Sequence, residues 1–307
     1  MARTAMAMTV AAALMMLGCG AATATEVYWT PAHEQAPQGI QSSITWGDLD
    51  ADGDADIARG SDFVCWNDGG CPGPPVWRVQ MGVLPGTPSC SYRQTTLGDL
   101  DGDGDLDLIY GCFEPQLHMF WNVGTPQVPA WQYDPSMFQG GANYSVPFLA
   151  DLDGDGDLDL IMVTGCAGAF FRENVGTPQA PVWGGSSVNI PPVYLPPPAS
   201  IALGDLDGDG DLDFLGFSTD TPLTCWENVG TPQSWSFVEN PAMLTGIALP
   251  PGSRWGLALP DLDCDGDLDL LVVVMVGYAM ETFAYLNEGP TPVSPATWSS
   301  IKALYRQ

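Results

Sequence analysis

The sequence predicts an all-β fold, a β-propeller of five blades with four antiparallel strands each. Three observations carry that prediction. An acidic nine-residue loop with Asp at positions 1, 3, 5, 7 and 9 and Gly at position 6 recurs at 48–56, 99–107, 151–159, 205–213 and 261–269. Successive copies lie 51, 52, 54 and 56 residues apart, the length of one blade of short strands with Gly/Pro punctuation. Beyond the N-terminal two dozen residues, no stretch repeats its apolar residues with the 3.6-residue period of a helix.

The loops come first in the argument because their chemistry is the most specific. The first holds Asp48, Asp50, Asp52, Asp54 and Asp56, and the second Asp99, Asp101, Asp103, Asp105 and Asp107. The third holds Asp151, Asp153, Asp155, Asp157 and Asp159. Asp205, Asp207, Asp209, Asp211 and Asp213 make the fourth, and Asp261, Asp263, Asp265, Asp267 and Asp269 the fifth. A hard divalent cation such as Ca²⁺ takes six to eight oxygens at about 2.3–2.6 Å. In a tight loop, positions 1, 3 and 5 turn their carboxylates inward, position 7 offers its backbone carbonyl, and position 9 closes the shell. Gly53, Gly104, Gly156, Gly210 and Gly266 fall where the backbone turns sharply. An isolated acidic run would be a solvated loop; five in one register are metal sites, about five Ca²⁺ per chain. They are not EF-hands: position 12 is Arg59, Tyr110, Met162, Gly216 or Val272 rather than a bidentate Glu. Short β-prone runs follow them, such as Leu158–Val163 and Leu268–Val276, so each loop opens a strand.

Other features keep the same phase. Asn-x-Gly recurs at Asn67, Asn122, Asn174, Asn228 and Asn287, and a Trp follows at Trp77, Trp131, Trp183, Trp235 and Trp298. Trp29 is a further N-terminal copy. These Trp residues are expected to pack in the core, given the area each can bury. Within the second unit, strands are expected at Leu106–Gly111, Gln116–Val123, near Trp131 and at Tyr144–Leu149, with turns at Glu114-Pro115 and over Gly124–Ala130. Pro191–Ser200 and Leu249–Pro251 read as insertions between repeats.

The run Asp-Leu-Asp-Gly-Asp-Gly-Asp-Leu-Asp followed by Asn-x-Gly resembles the FG-GAP/VCBS repeat family over about residues 27–307. Integrin α-subunits, seven-bladed calcium-binding propellers, belong to that family. The resemblance implies a propeller and a calcium role for each loop's aspartates. Five loops imply five blades, closed if Trp29 or Trp298 completes a blade shared between the termini.

The chain has 307 residues, 8 basic against 37 acidic, for a net charge of −29. Twenty-five of the acidic residues lie in the five loops, so the charge is a metal-site signature, and 45% hydrophobic residues with 11 Trp suffice for a core. So acidic a surface excludes nucleic acid and anionic membrane as partners. Residues 1–24 read as a signal peptide, with Arg3, the apolar run Ala5–Leu17 and cleavage after Ala22-Thr23-Ala24; residues 25–307 form the propeller domain. Leu17-Gly18-Cys19 offers a lipoprotein anchor through Cys19 as the minor alternative. No later segment is long enough to span a bilayer. The protein is thus expected to be secreted, periplasmic or at the cell surface, where cysteines form disulfides. Cys65–Cys71 is the first pairing suggested and Cys90–Cys112 the second; Cys166, Cys225 and Cys264 remain, and an odd total leaves one thiol over.

Functionally, these features predict a non-catalytic binding or adhesion module for an extracellular glycan or protein. The alternatives are a carbohydrate-active enzyme, a lyase or hydrolase, on the same scaffold, or a structural cell-envelope protein. Against an enzyme, His33 and His118 belong to no triad or zinc motif, and the loop aspartates are committed to metal. Glu114, Glu173, Glu227 and Glu281 are the leftover carboxylates, expected to be solvated.

Overall fold

The computed structural model describes residues 27, 29–37, 44–59, 63–70, 73–85, 94–112, 117–138, 146–164, 168–177, 179–184, 188–189, 199–218, 222–231 and 234–287. Residues 1–24, where a signal peptide is expected, lie outside them, as do Cys71, Cys90, Cys166, Trp298, the expected Glu114-Pro115 turn and most of the Pro191–Ser200 insertion.

Among the described residues, twenty strands form five antiparallel four-stranded sheets. An N-terminal strand, β1 (Trp29–Pro31), precedes blade 1: β2 (Ile44–Gly47), β3 (Asp56–Arg59), β4 (Phe63–Asn67) and β5 (Trp77–Met81). Blade 2 is β6 (Gln94–Gly98), β7 (Asp107–Gly111), β8 (Leu117–Asn122) and β9 (Trp131–Asp134). Blade 3 is β10 (Val146–Ala150), β11 (Asp159–Thr164), β12 (Gly168–Arg172) and β13 (Val188–Asn189). Blade 4 is β14 (Ala199–Gly204), β15 (Asp213–Ser218), β16 (Thr224–Asn228) and β17 (Phe237–Glu239). Blade 5 is β18 (Ser253–Ala258), β19 (Leu270–Val276) and β20 (Ala279–Asn287), with β1 as its outer strand. The helical content among the described residues is two short 3-10 turns, His33–Gln35 and Pro241–Leu244, and no helix is long and apolar enough to cross a membrane.

First strands face the axis. β2 adjoins β6, then β10, β14 and β18 follow in turn, and β18 returns to β2. The ring is thus closed, and closure covers edges that an isolated blade would expose. β1 locks it: Trp29 pairs with Asn287, is 4% exposed, and donates its Nε1–H to Met243 O at 2.6 Å. Of the two tryptophans that could close the ring, Trp29 does so.

Second strands are buried on both faces, which is why they read as unbroken apolar runs rather than alternating ones. Successive residues feed opposite neighbours. Leu108 and Tyr110 pack with Ala58 and Val64 of blade 1, whereas Ile109 packs with Leu160 of blade 3. Ile161 and Val163 pack with Phe214 of blade 4, and Leu215 and Phe217 with Val272 of blade 5. Leu271 and Val273 complete the circle against Ile57. The core is therefore five blade–blade seams, and truncating one such side chain to Ala costs about 2–5 kcal/mol.

The repeat tryptophans serve those seams. Trp77 Nε1 donates to Gln35 O at 2.7 Å, Trp131 to Val83 O at 2.9 Å and Trp235 to Leu152 O at 2.6 Å. All are part-buried against the clusters. The strand at Tyr144–Leu149 corresponds to β10 and opens blade 3, since each acidic loop joins the first and second strands of one blade. A cut of the repeat at the loop divides every blade after its inner strand.

The Cys65–Cys71 pairing is corrected: Cys65 is a reduced thiol with no exposure, packed with Ile57 and Leu271. Its β4 position points into the blade 1–blade 5 seam, away from the turn that sequence proximity favoured. Cys225 is likewise a buried thiol, 3.6 Å from Met243 Sδ. Cys112 and Cys264 are disulfide-bonded; the suggested Cys90–Cys112 pairing itself falls outside the described residues.

Candidate metal centres

Five acidic loops connect first and second strands and so emerge at one end of the ring. Their conformation is written in backbone angles. Position 6 has positive φ throughout, from 94° at Gly210 to 109° at Gly53. Position 4 does too, at Gly102, Gly154 and Gly208 (70–76°), and also at Ala51 (58°) and Cys264 (63°). Non-glycine residues pay about 1–2 kcal/mol for that region.

The aspartates hold the loop before they hold anything else. At position 1, an Oδ accepts the N–H of the position-6 glycine: Asp48 from Gly53, Asp99 from Gly104, Asp151 from Gly156 and Asp205 from Gly210, at 3.0–3.3 Å. Position 5 accepts the N–H of position 7 in all five loops, at 2.9–3.0 Å.

Position 9 carries a function that spacing alone did not reveal. Asp56, Asp107, Asp159, Asp213 and Asp269 are each at most 1% exposed. One oxygen accepts from the leucine N–H at loop position 2, at 2.6–3.0 Å. The other accepts from the Asn-x-Gly asparagine N–H, at 2.8–2.9 Å. That residue therefore ties its loop to the end of the third strand. The asparagine side chain then shapes the next hairpin: Asn122 Oδ1 accepts from Gly124 N at 3.2 Å and Ala130 N at 3.0 Å. Gly124, Gly176 and Gly230 sit so close to the opposing backbone that a Cβ would collide with it. Conserved phase between the acidic loop and Asn-x-Gly was the available signal.

The oxygens that converge are those of positions 1, 3 and 9 in the first four loops: Asp48/Asp50/Asp56, Asp99/Asp101/Asp107, Asp151/Asp153/Asp159 and Asp205/Asp207/Asp213. In the fifth they are positions 1, 3 and 5, Asp261/Asp263/Asp265. Within each group the atoms lie within 4.8 Å of one another. Two oxygens at 2.3–2.6 Å from a shared Ca²⁺ cannot be more than about 5.2 Å apart, so the spacing fits. Expectation and geometry differ at position 5, which lies outside the tight group in four loops and within it only in the fifth, although its carboxylate accepts from the backbone of position 7 in all five. Position 7 lies outside the tight groups; Asp54 Oδ2 accepts from Gly70 N at 2.6 Å.

Burial and like charge make these clusters costly without a cation. Desolvation pushes Asp56, Asp107 and Asp213 up to about 8 and Asp159 to about 7, against the lowering effect of their backbone hydrogen bonds. Asp269 is raised well above 3.8 for the same cause. Asp261 rises to about 7 through desolvation and the charge of Asp265. Asp207 rises to about 6 through desolvation, then the charges of Asp209 and Asp205; Glu227 adds to this. Asp68 and Glu173 act likewise on Asp50 and Asp153, so Glu227 in the third strand of blade 4 and Glu173 just past the third strand of blade 3, expected to be solvated, lie near enough to add their charge to the loops. Asp50 Oδ1, Asp99 Oδ1, Asp157 Oδ1 and Asp261 Oδ1 are buried and have no hydrogen-bond partner. An ionised carboxylate oxygen so placed needs a donor or a cation. The all-oxygen donor set suits a hard divalent ion such as Ca²⁺. Both histidines lie apart from the clusters: His33 Nδ1 meets Ala284 O at 3.0 Å and His118 Nδ1 meets the Tyr133 hydroxyl at 2.9 Å.

The FG-GAP-like repeat family matches residues 99–162 and 205–272, each match running from one acidic loop through the next. No curated protein matches the chain. Among solved structures, the crystal structure of TcdB2-TccC3 without its hypervariable C-terminal region aligns at 15% identity and a TM-score of 0.44. The alignment covers 85% of this chain and spans 15% of that one.

Proposed function

We propose that this chain, a β-propeller built of FG-GAP-like repeats, is an exported, calcium-stabilised module that binds an extracellular glycan or protein without turning it over. The observation that carries the proposal is the set of five carboxylate clusters, one per blade, whose buried oxygens include several without a partner. Such clusters are stabilised at neutral pH by divalent cations, which calcium-rich extracellular fluid supplies at the millimolar level that such sites need. In this reading positions 1, 3 and 9 coordinate directly in four loops and positions 1, 3 and 5 in the fifth, while the remaining loop aspartates and backbone complete each shell. The ions staple the loops, and the ring presents the connections between strands as a rigid display surface.

Export follows from the basic start, apolar run and small-x-small site within residues 1–24, with the mature chain secreted, periplasmic or at the cell surface. Disulfides accord with that compartment. A non-catalytic role is supported by the commitment of the acidic residues: among the described residues, the loop carboxylates hold backbone N–H groups and converge in clusters that suit a cation.

A screen of extracellular glycans and proteins, run with calcium and with chelator, tests the proposal. Ligand capture that disappears in chelator is the expected result. Turnover of a polysaccharide at low protein concentration would replace the proposal with an enzymatic one, and calcium-dependent self-assembly seen by light scattering would favour a structural envelope role.

A further inference from the structure

Position 4 of the acidic loops is a left-handed turn, filled by Ala51, Gly102, Gly154 and Gly208 in the first four, all of them exposed. The fifth loop places Cys264 there, with φ of 63°. Cys264 is half-buried and disulfide-bonded. A conformation that penalises residues other than glycine is thus taken by a cysteine whose sulfur is already engaged.

The topology restricts the sulfur it can meet. Cys65 and Cys225 are thiols. Second strands run from the acidic loop to the opposite end of the ring, so Cys112, one residue past β7, lies at that far end. Cys166 falls in sequence between β11 and β12, the equivalent connection of blade 3. Cys90 comes four residues before β6, whose first residue, Gln94, pairs with Gly111 at the far end of blade 2. A five-residue strand separates the two ends by about 17 Å, whereas a disulfide holds its Cα atoms roughly 4.4–6.8 Å apart. Cys19 precedes the expected cleavage site. Cys71 remains.

Cys71 belongs to the connection between the third and fourth strands of blade 1, from Asn67 to Trp77. Such connections emerge at the acidic-loop end, and three contacts show this part of a blade reaching over the loop of the blade before it. Gln127 Nε2 of blade 2 donates to Asp50 O, loop position 3 of blade 1, at 2.7 Å. Trp235 Nε1 of blade 4 donates to Leu152 O, position 2 of blade 3, at 2.6 Å. Asn287 Nδ2 of blade 5 donates to Leu206 O, position 2 of blade 4, at 3.3 Å. Carried round the closed ring, the same step sets the blade 1 connection over the blade 5 loop. Cys71 is four residues past Asn67, where Gln127 is five past Asn122, and Cys264 adjoins Asp263, the counterpart of Asp50. Gly70, next to Cys71 in the chain, is held at this end by its N–H on Asp54 Oδ2 at 2.6 Å.

We propose that Cys71 and Cys264 form a disulfide that clasps blade 1 to blade 5 and pins the fifth acidic loop. It crosses the seam that the three-residue pairing of β1 closes, and adds a covalent tie there. Two S–H bonds break and one S–S bond forms. The two protons and two electrons pass to a disulfide oxidant such as glutathione disulfide, by exchange through a mixed disulfide. The clasp goes beyond the binding-module reading and is tested without a ligand.

The experiment uses the calcium-loaded full chain, oxidised with glutathione disulfide and alkylated with iodoacetamide. Peptic digestion at about pH 2, where thiolate exchange is suppressed, is followed by mass spectrometry without reduction. One linked peptide pair should join Cys71 to Cys264. Cys71→Ser and Cys264→Gly should each melt roughly 5–15 °C below the parent in calcium. The double variant should melt no lower than the worse single one, because all three lose the same bond. Cys264→Gly also relieves the left-handed turn, so without a clasp it would melt higher than the parent. Cys264 joined to another cysteine, or alkylated as a thiol, overturns the proposal. Variants that melt with the parent or above it overturn the clasp even where the linked pair is found. Should a variant not fold, the peptide map of the parent decides alone.

Discussion

The backbone N–H of Asn122 donates to Asp107 Oδ1 at 2.8 Å, across fifteen residues of chain. Asp107 Oδ2 accepts from Leu100 N at 2.9 Å, so one buried carboxylate joins an acidic loop, the second strand it opens and the end of the third. The same bridge recurs in every blade. Its consequence is that metal binding and blade packing share a residue.

Asp107→Ala should therefore destabilise the protein by about 2–4 kcal/mol, since two buried backbone donors lose their acceptor. Asp103→Ala, at an exposed position whose carboxylate serves one N–H, should cost about 1 kcal/mol or less in chelator. Urea unfolding of both variants in EDTA checks the contrast; equal losses would show that position 9 is not the tie described.

A second expectation concerns pH. Asp56, Asp107 and Asp213 have folded-state values of about 8 and Asp159 about 7, all above the ordinary 3.8. The calcium-free folded state thus holds more protons than the unfolded chain between those limits. Their stabilising contribution is whole below about pH 4 and is lost as pH rises through 7 to 8. In EDTA the melting temperature should fall between pH 5 and pH 8, and calcium, which displaces those protons, should bind more tightly at pH 8. A melting temperature that rises over that interval in EDTA would contradict the assignment of protonated loop carboxylates.

Position 4 gives a test of backbone strain. Ala51 has φ of 58° where three other loops place glycine. Relief of about 1–2 kcal/mol of left-handed strain, less about 0.5–1 kcal/mol of added unfolded-state entropy, predicts that Ala51→Gly stabilises by about 0.5–1 kcal/mol. Denaturant midpoints in calcium measure it, and a destabilised variant would mean that the Ala51 methyl makes contacts worth more than the strain.

Ring closure depends on a three-residue strand. Trp29→Ala removes a 4%-exposed side chain and the 2.6 Å bond to Met243 O, and should cost about 3–5 kcal/mol. Calorimetry should then show blade 5 reporting the loss as part of one transition, because each blade is covered only by its neighbours. A melting curve like the parent's would place closure elsewhere.

Much of this architecture was legible in the chain. The Asp-x-Asp-x-Asp-Gly register located all five loops, because a cation needs oxygens at fixed intervals and the turn needs Gly at position 6. Phase with Asn-x-Gly and Trp gave the blade length, while closure was left between Trp29 and Trp298, and the structure places Trp29 in the closing strand. Less legible was anything set by tertiary position. Where a blade begins depends on which strand reaches the axis, and Gln94–Gly98 carries no mark of that. Cys65 lies six residues from Cys71 in the chain, yet strand alternation turns it into the seam beside Ile57. Position 9 reads as a further ligand by spacing alone, whereas its two backbone hydrogen bonds come from residues brought together only by the fold.

The central claim is that folding is linked to calcium. At about 2 mM calcium and a Kd of about 0.1 mM, each site adds roughly 1.8 kcal/mol, or about 9 kcal/mol over five independent sites. Thermal melting of the full chain in calcium and in EDTA, followed by circular dichroism and paired with a metal count, tests it most directly. The account predicts about five calcium ions per chain, a large fall in melting temperature on chelation, and a smaller calcium-dependent shift in Asp99→Ala, Asp151→Ala or Asp205→Ala. Coincident curves in calcium and EDTA, with a metal count near zero, would contradict it.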